Sequence, residues 1–259
     1  MERASGGESP GLRCLVTGAG RGIGAAVARR LGAAGHRVAL TARSADQLAA
    51  VAASLPGPTL QLPADLTDAH AAERLVGAVE DTWGPVDVLV LNAGVAGSAP
   101  LTRTSDADWQ RMLELNLTVP FRLLRRAIPG MVEQGFGRVV AIASVAAKVG
   151  EPYIAAYTAS KHGLLGLVRA AAAELAGTGV TVNAVCPGYV DTAMTDDTVA
   201  TISAVTGRSP EQARQSLERR QPIGRLVTPD EVADAVLLCV ASAAITGQGI
   251  NVDGGAVQS

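Results

Sequence analysis

The sequence predicts an α/β fold: a doubly wound parallel sheet of seven strands with helices on both faces. Three observations predict it. Short β-branched runs alternate with longer Ala- and Leu-rich stretches along the 259 residues, a glycine-rich turn stands between the first run and the first helical stretch, and the runs are apolar at nearly every position, as strands covered on both faces must be.

The strands are read from Cys14-Leu15-Val16-Thr17, Val38-Ala39-Leu40-Thr41, Leu60-Gln61-Leu62, Val86 to Val90, Val139 to Ile142, Val180 to Val185 and Gly249 to Val252. Helices are expected near 23–34, 45–54, 68–82, 106–133 and 156–176. A last helix should run from Pro229 to Ala241, because Thr228 offers an N-cap and Pro229 suits the first helical position. No Pro-rich linker or repeat divides the chain, so 11–259 is read as one domain. Residues 1–10 are small and polar and read as a flexible tail, with the features of neither a signal peptide nor a membrane span.

One stretch breaks the rhythm. Residues 189–226 occupy a connection that normally needs only a few residues, and a long insert beside a site is expected to be a lid. Ser209-Pro210-Glu211-Gln212 is a capping-box signature, which places a helix inside it from about 210 to 219. Thr201, Ile202, Ala204 and Val205 suggest an apolar inner face beside that helix.

Composition narrows the function. A formal charge of -2 argues against nucleic acid or an anionic membrane as the main partner, leaving a small molecule. Three cysteines, Cys14, Cys186 and Cys239, sit in apolar runs without disulfide or metal-ligand spacing, and read as buried apolar residues of a cytoplasmic protein.

The turn Thr17-Gly18-Ala19-Gly20-Arg21-Gly22-Ile23-Gly24 lies between a strand and a helix, the Rossmann-type context in which Gly18, Gly22 and Gly24 let backbone approach a pyrophosphate and Ile23 opens the helix. The end of the second strand decides which dinucleotide fits. An acid there would bond a free ribose 2′-hydroxyl, but the chain has Ala42 followed by Arg43. Arg43 and Arg21 could instead converge on a 2′-phosphate, which favours NADPH.

Tyr157 and Lys161 are four residues apart on an expected helix, so both rise from one face. A neighbouring ammonium lowers a phenol's pKa and makes it a practical acid. Ser144 ends the fifth strand, at the sheet edge where such folds keep ligands, and its hydroxyl can orient a ketone oxygen. Metal chemistry has no ligand cluster to support it.

Taken together, Thr17 to Gly24, Asn92-Ala93-Gly94, Asn116, Ser144, Tyr157 to Lys161 and Pro187-Gly188 resemble the short-chain dehydrogenase/reductase family over about residues 12–255. The resemblance implies that Tyr157 is the acid, that Lys161 holds the nicotinamide ribose and lowers the tyrosine pKa, that Ser144 polarises the carbonyl and that Asn116 positions a relay water. It also implies Asp65 and Leu66 against the adenine, Asn92, Ala93 and Gly94 under the cofactor, and Pro187, Gly188, Val190 and Thr192 at the nicotinamide. Leu91 stands where the family often has a second asparagine.

Within the family the chain looks most like ketoreductases of 3-oxoacyl thioesters and aromatic polyketides, through Ser160-Lys161-His162-Gly163, Val182 to Gly188 and Pro222-Ile223-Gly224-Arg225. A substrate pocket is expected around Ser144, Val145, Gly150, Tyr153 and Tyr157. Arg208, Arg214, Arg219 and Arg220 could meet a carrier phosphate, although Asp196, Asp197, Glu211 and Glu218 interleave with them. Arg122, Arg125 and Arg126 share a helix face on which an acyl-carrier protein could dock. The resemblance implies a homotetramer.

Two rival functions are kept. An NAD-dependent dehydrogenase of a hydroxyacyl-coenzyme A or cyclic alcohol would prefer an acid at Ala42. A non-catalytic NADPH sensor would have no use for Ser144, Tyr157 and Lys161 together.

Overall fold

Strand β1 (Arg13–Thr17) alternates its side chains between two cores, Leu15 packing on one face of the sheet and Cys14 with Val16 on the other. This double burial is why the strands are apolar throughout. The computed structural model describes residues 11–258, so the tail expected over 1–10 lies outside the described residues.

The other strands are β2 (Arg37–Ala42), β3 (Thr59–Pro63), β4 (Val88–Leu91), β5 (Gly137–Ile142), β6 (Val180–Pro187) and β7 (Gly249–Val252). They form one seven-stranded sheet in the order β3-β2-β1-β4-β5-β6-β7, every pairing parallel. The order reverses between β1 and β4, which opens a crevice at their carboxyl ends. Helices α1 (Gly22–Ala33), α2 (Ala45–Ala52) and α9 (Pro229–Ala241) cover one face. Helices α3 (Ala71–Trp83), α5 (Val119–Glu133) and α6 (Ala155–Glu174) cover the other.

Strand β4 begins two residues later than expected. Asp87, just before it, already bonds both neighbouring strands, its N–H donating to the Arg13 carbonyl at 2.9 Å and its carbonyl accepting from the Arg138 N–H at 2.8 Å, while its carboxylate accepts from the Arg13 backbone N–H at 2.8 Å and from its guanidinium Nε and Nη2, each at 2.7 Å. The single helix expected over 106–133 is instead α4 (Asp106–Leu113), a π-turn at Glu114–Thr118, and α5. Pro120 is the physical reason. It has no N–H to give the Asn116 carbonyl four residues earlier, and its ring would crowd that carbonyl in a regular α-turn.

In the 189–226 segment, α7 (Ala193–Thr206) is followed by α8 (Pro210–Glu218), whose N-terminus carries the expected capping box between Ser209 and Gln212. Its small core is Val199, Ala213, Leu217 and Leu226, with Tyr189 and Ile202 against it. The inner face expected from Thr201, Ala204 and Val205 is not there: all three are exposed, and of the residues named only Ile202 packs inward. A parallel bridge between Val190 and Val227 closes the base of the segment. The three cysteines are buried and free, as expected, and burial pushes the Cys14 thiol far up and that of Cys239 up to about 11. No helix among the described residues is long and apolar enough to cross a membrane.

Candidate active site

The glycine turn is shaped by its neighbours. Gly18 and Gly22 have φ of +65° and +55°, a region where side chains are strained, and a Cβ on Gly18 would meet Asn92 Nδ2 at 2.8 Å. Asn92 acts as a clamp: its Nδ2 donates to the carbonyls of Thr17 at 2.9 Å and Gly18 at 3.1 Å. The Thr17 hydroxyl in turn accepts from the N–H of Asn92 at 2.9 Å and of Ala93 at 3.1 Å. The residues expected under a cofactor therefore also lock β1 to β4.

Helix α1 begins without a side-chain cap, and Gly22, Ile23 and Gly24 form its first turn with no acidic residue there. Open N–H groups on a glycine cradle suit a pyrophosphate. Beside it, a Cβ on Gly20 would stand 3.5 Å from the Ala42 Cβ, so the turn carrying Arg21 lies against the end of β2. Arg21 and Arg43 are both exposed there. Asp65 is held below the usual carboxylate range by the Thr67 N–H at 2.9 Å and hydroxyl at 2.8 Å, with Arg43 a smaller influence. Leu66, expected against the adenine, has its side chain buried in the core around α3 and α5.

Two polar side chains meet at Gly94. A Cβ on this glycine would lie 3.0 Å from Asn116 Oδ1 and 3.6 Å from Lys161 Nζ. Asn116, in the π-turn, is fully engaged: Oδ1 accepts from the Val95 N–H at 2.9 Å, while Nδ2 donates to the Val95 carbonyl at 2.9 Å and the Ser160 hydroxyl at 3.0 Å. The carboxamide thus ties the loop after β4 to α6. Ser160, which passes its own hydrogen to the Tyr157 carbonyl at 2.7 Å, is a supporting residue that the motif contained but sequence reasoning did not single out.

Lys161 is 5% exposed and donates to the Ile142 carbonyl at 2.8 Å; burial lowers its pKa to about 8. Its ammonium lies 5.7 Å from the Tyr157 ring centroid. The expected lowering of the tyrosine pKa does not appear. Burial pushes the Tyr157 phenol above its usual value, with the Ser144 hydrogen bond opposing, and Lys161 is not among the causes. The ammonium lies against the ring and bonds a carbonyl, and partial burial of the tyrosine disfavours a phenolate. Ser144 has extended backbone at the end of β5, and its oxygen accepts from the Ala146 N–H at 3.1 Å.

The far wall follows β6. Gly188 donates to the Val252 carbonyl at 3.1 Å, and a Cβ on it would collide with Gln221 Oε1. Gln221, 2% exposed, accepts from the Tyr189 N–H at 2.9 Å and donates to the carbonyls of Tyr189 at 3.1 Å and Arg225 at 2.7 Å. Sequence reasoning missed it, although it directly precedes the quoted Pro222 to Arg225. Val190 is buried, and Thr192 heads α7 against Gly22.

Two expectations are corrected. Val145 is buried, but Gly150 is exposed with nothing within 4 Å of its absent Cβ, and Tyr153 is 67% exposed with φ +70°, so these two form a rim and not a deep pocket. Arg122, Arg125 and Arg126 are not a free basic face either. Arg122 pairs with Glu114 at 2.6 Å, Arg126 with Glu80 at 2.6 Å and Glu73 at 2.8 Å, and Arg125 lies over the Phe121 ring. Acids from α3 and the π-turn neutralise what helix spacing alone presents as a cluster.

The family model for short chain dehydrogenase matches residues 13–203. The chain belongs to the short-chain dehydrogenase family. As a short-chain dehydrogenase it is an oxidoreductase working between alcohols and carbonyls. Among solved structures it resembles a tryptophan variant of actinorhodin polyketide ketoreductase with NADPH, at 41% identity and a TM-score of 0.90, covering 95% of this chain and 97% of that one. Among curated short-chain dehydrogenases, the 3-oxoacyl-(acyl-carrier-protein) reductase of Mycobacterium tuberculosis is 40% identical over 243 residues, 93% of this chain and 91% of the relative. The D-beta-hydroxybutyrate dehydrogenase of Rhizobium meliloti is 35% identical over 249 residues, 93% of this chain and 96% of the relative.

Proposed function

We propose that the protein is an NADPH-dependent ketoreductase that converts a ketone, a 3-oxoacyl thioester or polyketide, to a secondary alcohol. The observation that carries this reading is the meeting of three groups at the sheet's carboxyl edge: Ser144 at the end of β5, Tyr157, whose phenol pKa Ser144 pulls down against burial, and Lys161, buried with its ammonium 5.7 Å from the tyrosine ring centroid. Ala42, with Arg21 and Arg43 exposed around it, supports a cofactor carrying a 2′-phosphate.

Bound NADPH supplies the hydride for the carbonyl carbon. The turn of Gly18, Gly22, Ile23 and Gly24 would hold its pyrophosphate, with Asp65 and the Leu66 backbone toward the adenine. Pro187, Gly188, Val190 and Thr192 would face the nicotinamide, on the wall that Gln221 braces. Ser144 and Tyr157 converge on the carbonyl oxygen and orient it. Tyr157 gives its proton to that oxygen as the new C–H bond forms. A phenol pushed up by burial is neutral at ordinary pH, which is the state a proton donor needs. Lys161, donating to the Ile142 carbonyl, keeps its ammonium beside the tyrosine ring. The chemistry is reversible, so oxidation of a hydroxyacyl substrate uses the same groups.

The same reading includes a cytoplasmic location, a thioester borne on an acyl-carrier protein and assembly as a homotetramer. The test is stopped-flow loss of NADPH absorbance with an acetoacetyl thioester, a bicyclic ketone and cyclohexanone. NADPH consumption that depends on ketone is expected. Binding of NADPH without consumption for any ketone would favour a sensor and overturn the proposal.

A further inference from the structure

A cavity of about 290 Å³ is bordered by Val145, the residue after Ser144, and by Gly188, Tyr189, Gln221 and two charged residues, Glu151 and Arg220. The charged pair is built around one oxygen. Glu151 Oε2 accepts from Arg220 Nη1 at 2.8 Å and from the Tyr189 hydroxyl at 3.2 Å, and Arg220 Nη1 also donates to that hydroxyl at 3.1 Å. A guanidinium and a phenol thus converge on a single carboxylate oxygen supplied by the chain itself.

We infer that Arg220 and Tyr189 form an anion subsite for the ketone substrate, in which a substrate carboxylate or phosphate takes the place of Glu151. The inference rests on the ketoreductase reading and deepens it by naming a charged group on the substrate. Three observations support the exchange. The Arg220 side chain is 55% exposed and that of Glu151 27%, and a pair so open to water holds weakly. Only Nη1 of Arg220 is engaged in these bonds, which leaves the rest of the planar fork for a bidentate contact. Burial and Glu151 push the Tyr189 phenol upward, which keeps it a donor.

The other basic residues of this segment do not compete equally. Arg214 is tied to Asp191 at 2.7 Å, with Asp196 and Glu218 also within 3.5 Å. Arg220 is the arginine that borders the cavity. Val145, on the same cavity, follows Ser144 directly, so a substrate anchored at Arg220 can place its ketone toward Ser144 and Tyr157.

The test compares acetoacetate, acetoacetyl-coenzyme A and the neutral ethyl acetoacetate in steady-state kinetics with NADPH, for the unmodified enzyme, Arg220→Gln and Glu151→Gln. Arg220→Gln should lower the ratio of kcat/KM for anionic over neutral ketone about tenfold, and Glu151→Gln, which unmasks the arginine, should raise it. Loss confined to acetoacetate assigns the site to a carboxylate, and loss confined to the thioester assigns it to a carrier phosphate. An equal change with all three ketones in Arg220→Gln would show a mere structural pin and overturn the inference. If Arg220→Gln does not fold, Glu151→Gln decides, since failure to raise the ratio also overturns it. If no ketone is reduced by the unmodified enzyme, the ketoreductase reading fails, and calorimetric titration of coenzyme A into NADPH-loaded enzyme and Arg220→Gln judges the subsite alone: equal affinity would refute it.

Discussion

Thr192 rests against Gly22, its Cγ2 3.3 Å from where a Cβ on that glycine would stand. The contact joins the first turn of α1 to the head of α7, two places far apart in the chain that the sheet's reversal brings together. Gly22→Ala should therefore act twice, through a φ of +55° and through this contact. A stability loss of about 1–3 kcal/mol and a weaker NADPH affinity are expected, read by denaturant unfolding and by titration of the cofactor.

Cofactor choice should follow the end of β2. Arg43→Ala should lower kcat/KM with NADPH about tenfold and leave NADH nearly unchanged, because only a 2′-phosphate needs the guanidinium. Ala42→Asp should shift the preference toward NADH by offering the ribose hydroxyl an acceptor. Equal use of both cofactors by the unmodified enzyme would refute the assignment.

Tyr157→Phe removes the proton donor without touching the glycine turn. Turnover should fall by at least about a hundredfold while NADPH affinity is retained. Ser144→Ala should also slow turnover, and it removes the cap on the Ala146 N–H as well, so its melting temperature should be measured beside its rate.

Lys161 makes a prediction about stability and pH. Burial holds its pKa at about 8, against an ordinary value of 10.5. Between these values the unfolded chain binds the proton and the folded one does not, so the group's contribution to stability rises with pH across that window. Lys161→Met should lack the rise, which amounts to at most about 3 kcal/mol. Urea midpoints below and above the window, for both proteins without cofactor, would show the difference in slope or its absence.

Exchange of residues 189–226 for the matching segment of another reductase should reorder the preference among a bicyclic ketone, an acetoacetyl thioester and cyclohexanone, since Tyr189 and Arg220 both border the cavity that Val145 lines. An unchanged ranking in a folded, active chimera would move selectivity to Val145 and the walls that do not belong to the segment.

The amino-acid order by itself determined the local features of this protein. Apolar runs of strand length, the Thr228 and Ser209 caps, the glycine turn and the four-residue spacing of Tyr157 and Lys161 are all written in neighbouring residues, and β7 and α9 have the expected bounds. Tertiary structure decided what depends on residues far apart. Asp87 paired with Arg13 at the start of β1, the basic face of α5 was neutralised by Glu73 and Glu80, and Tyr153 reached the surface on a loop bonded to Ala99. The Lys161 ammonium met a backbone carbonyl and the tyrosine ring, and Glu151 found Arg220 across 69 residues. Spacing along a chain fixes which side chains share a face, but charge pairing and desolvation depend on what the fold packs against that face.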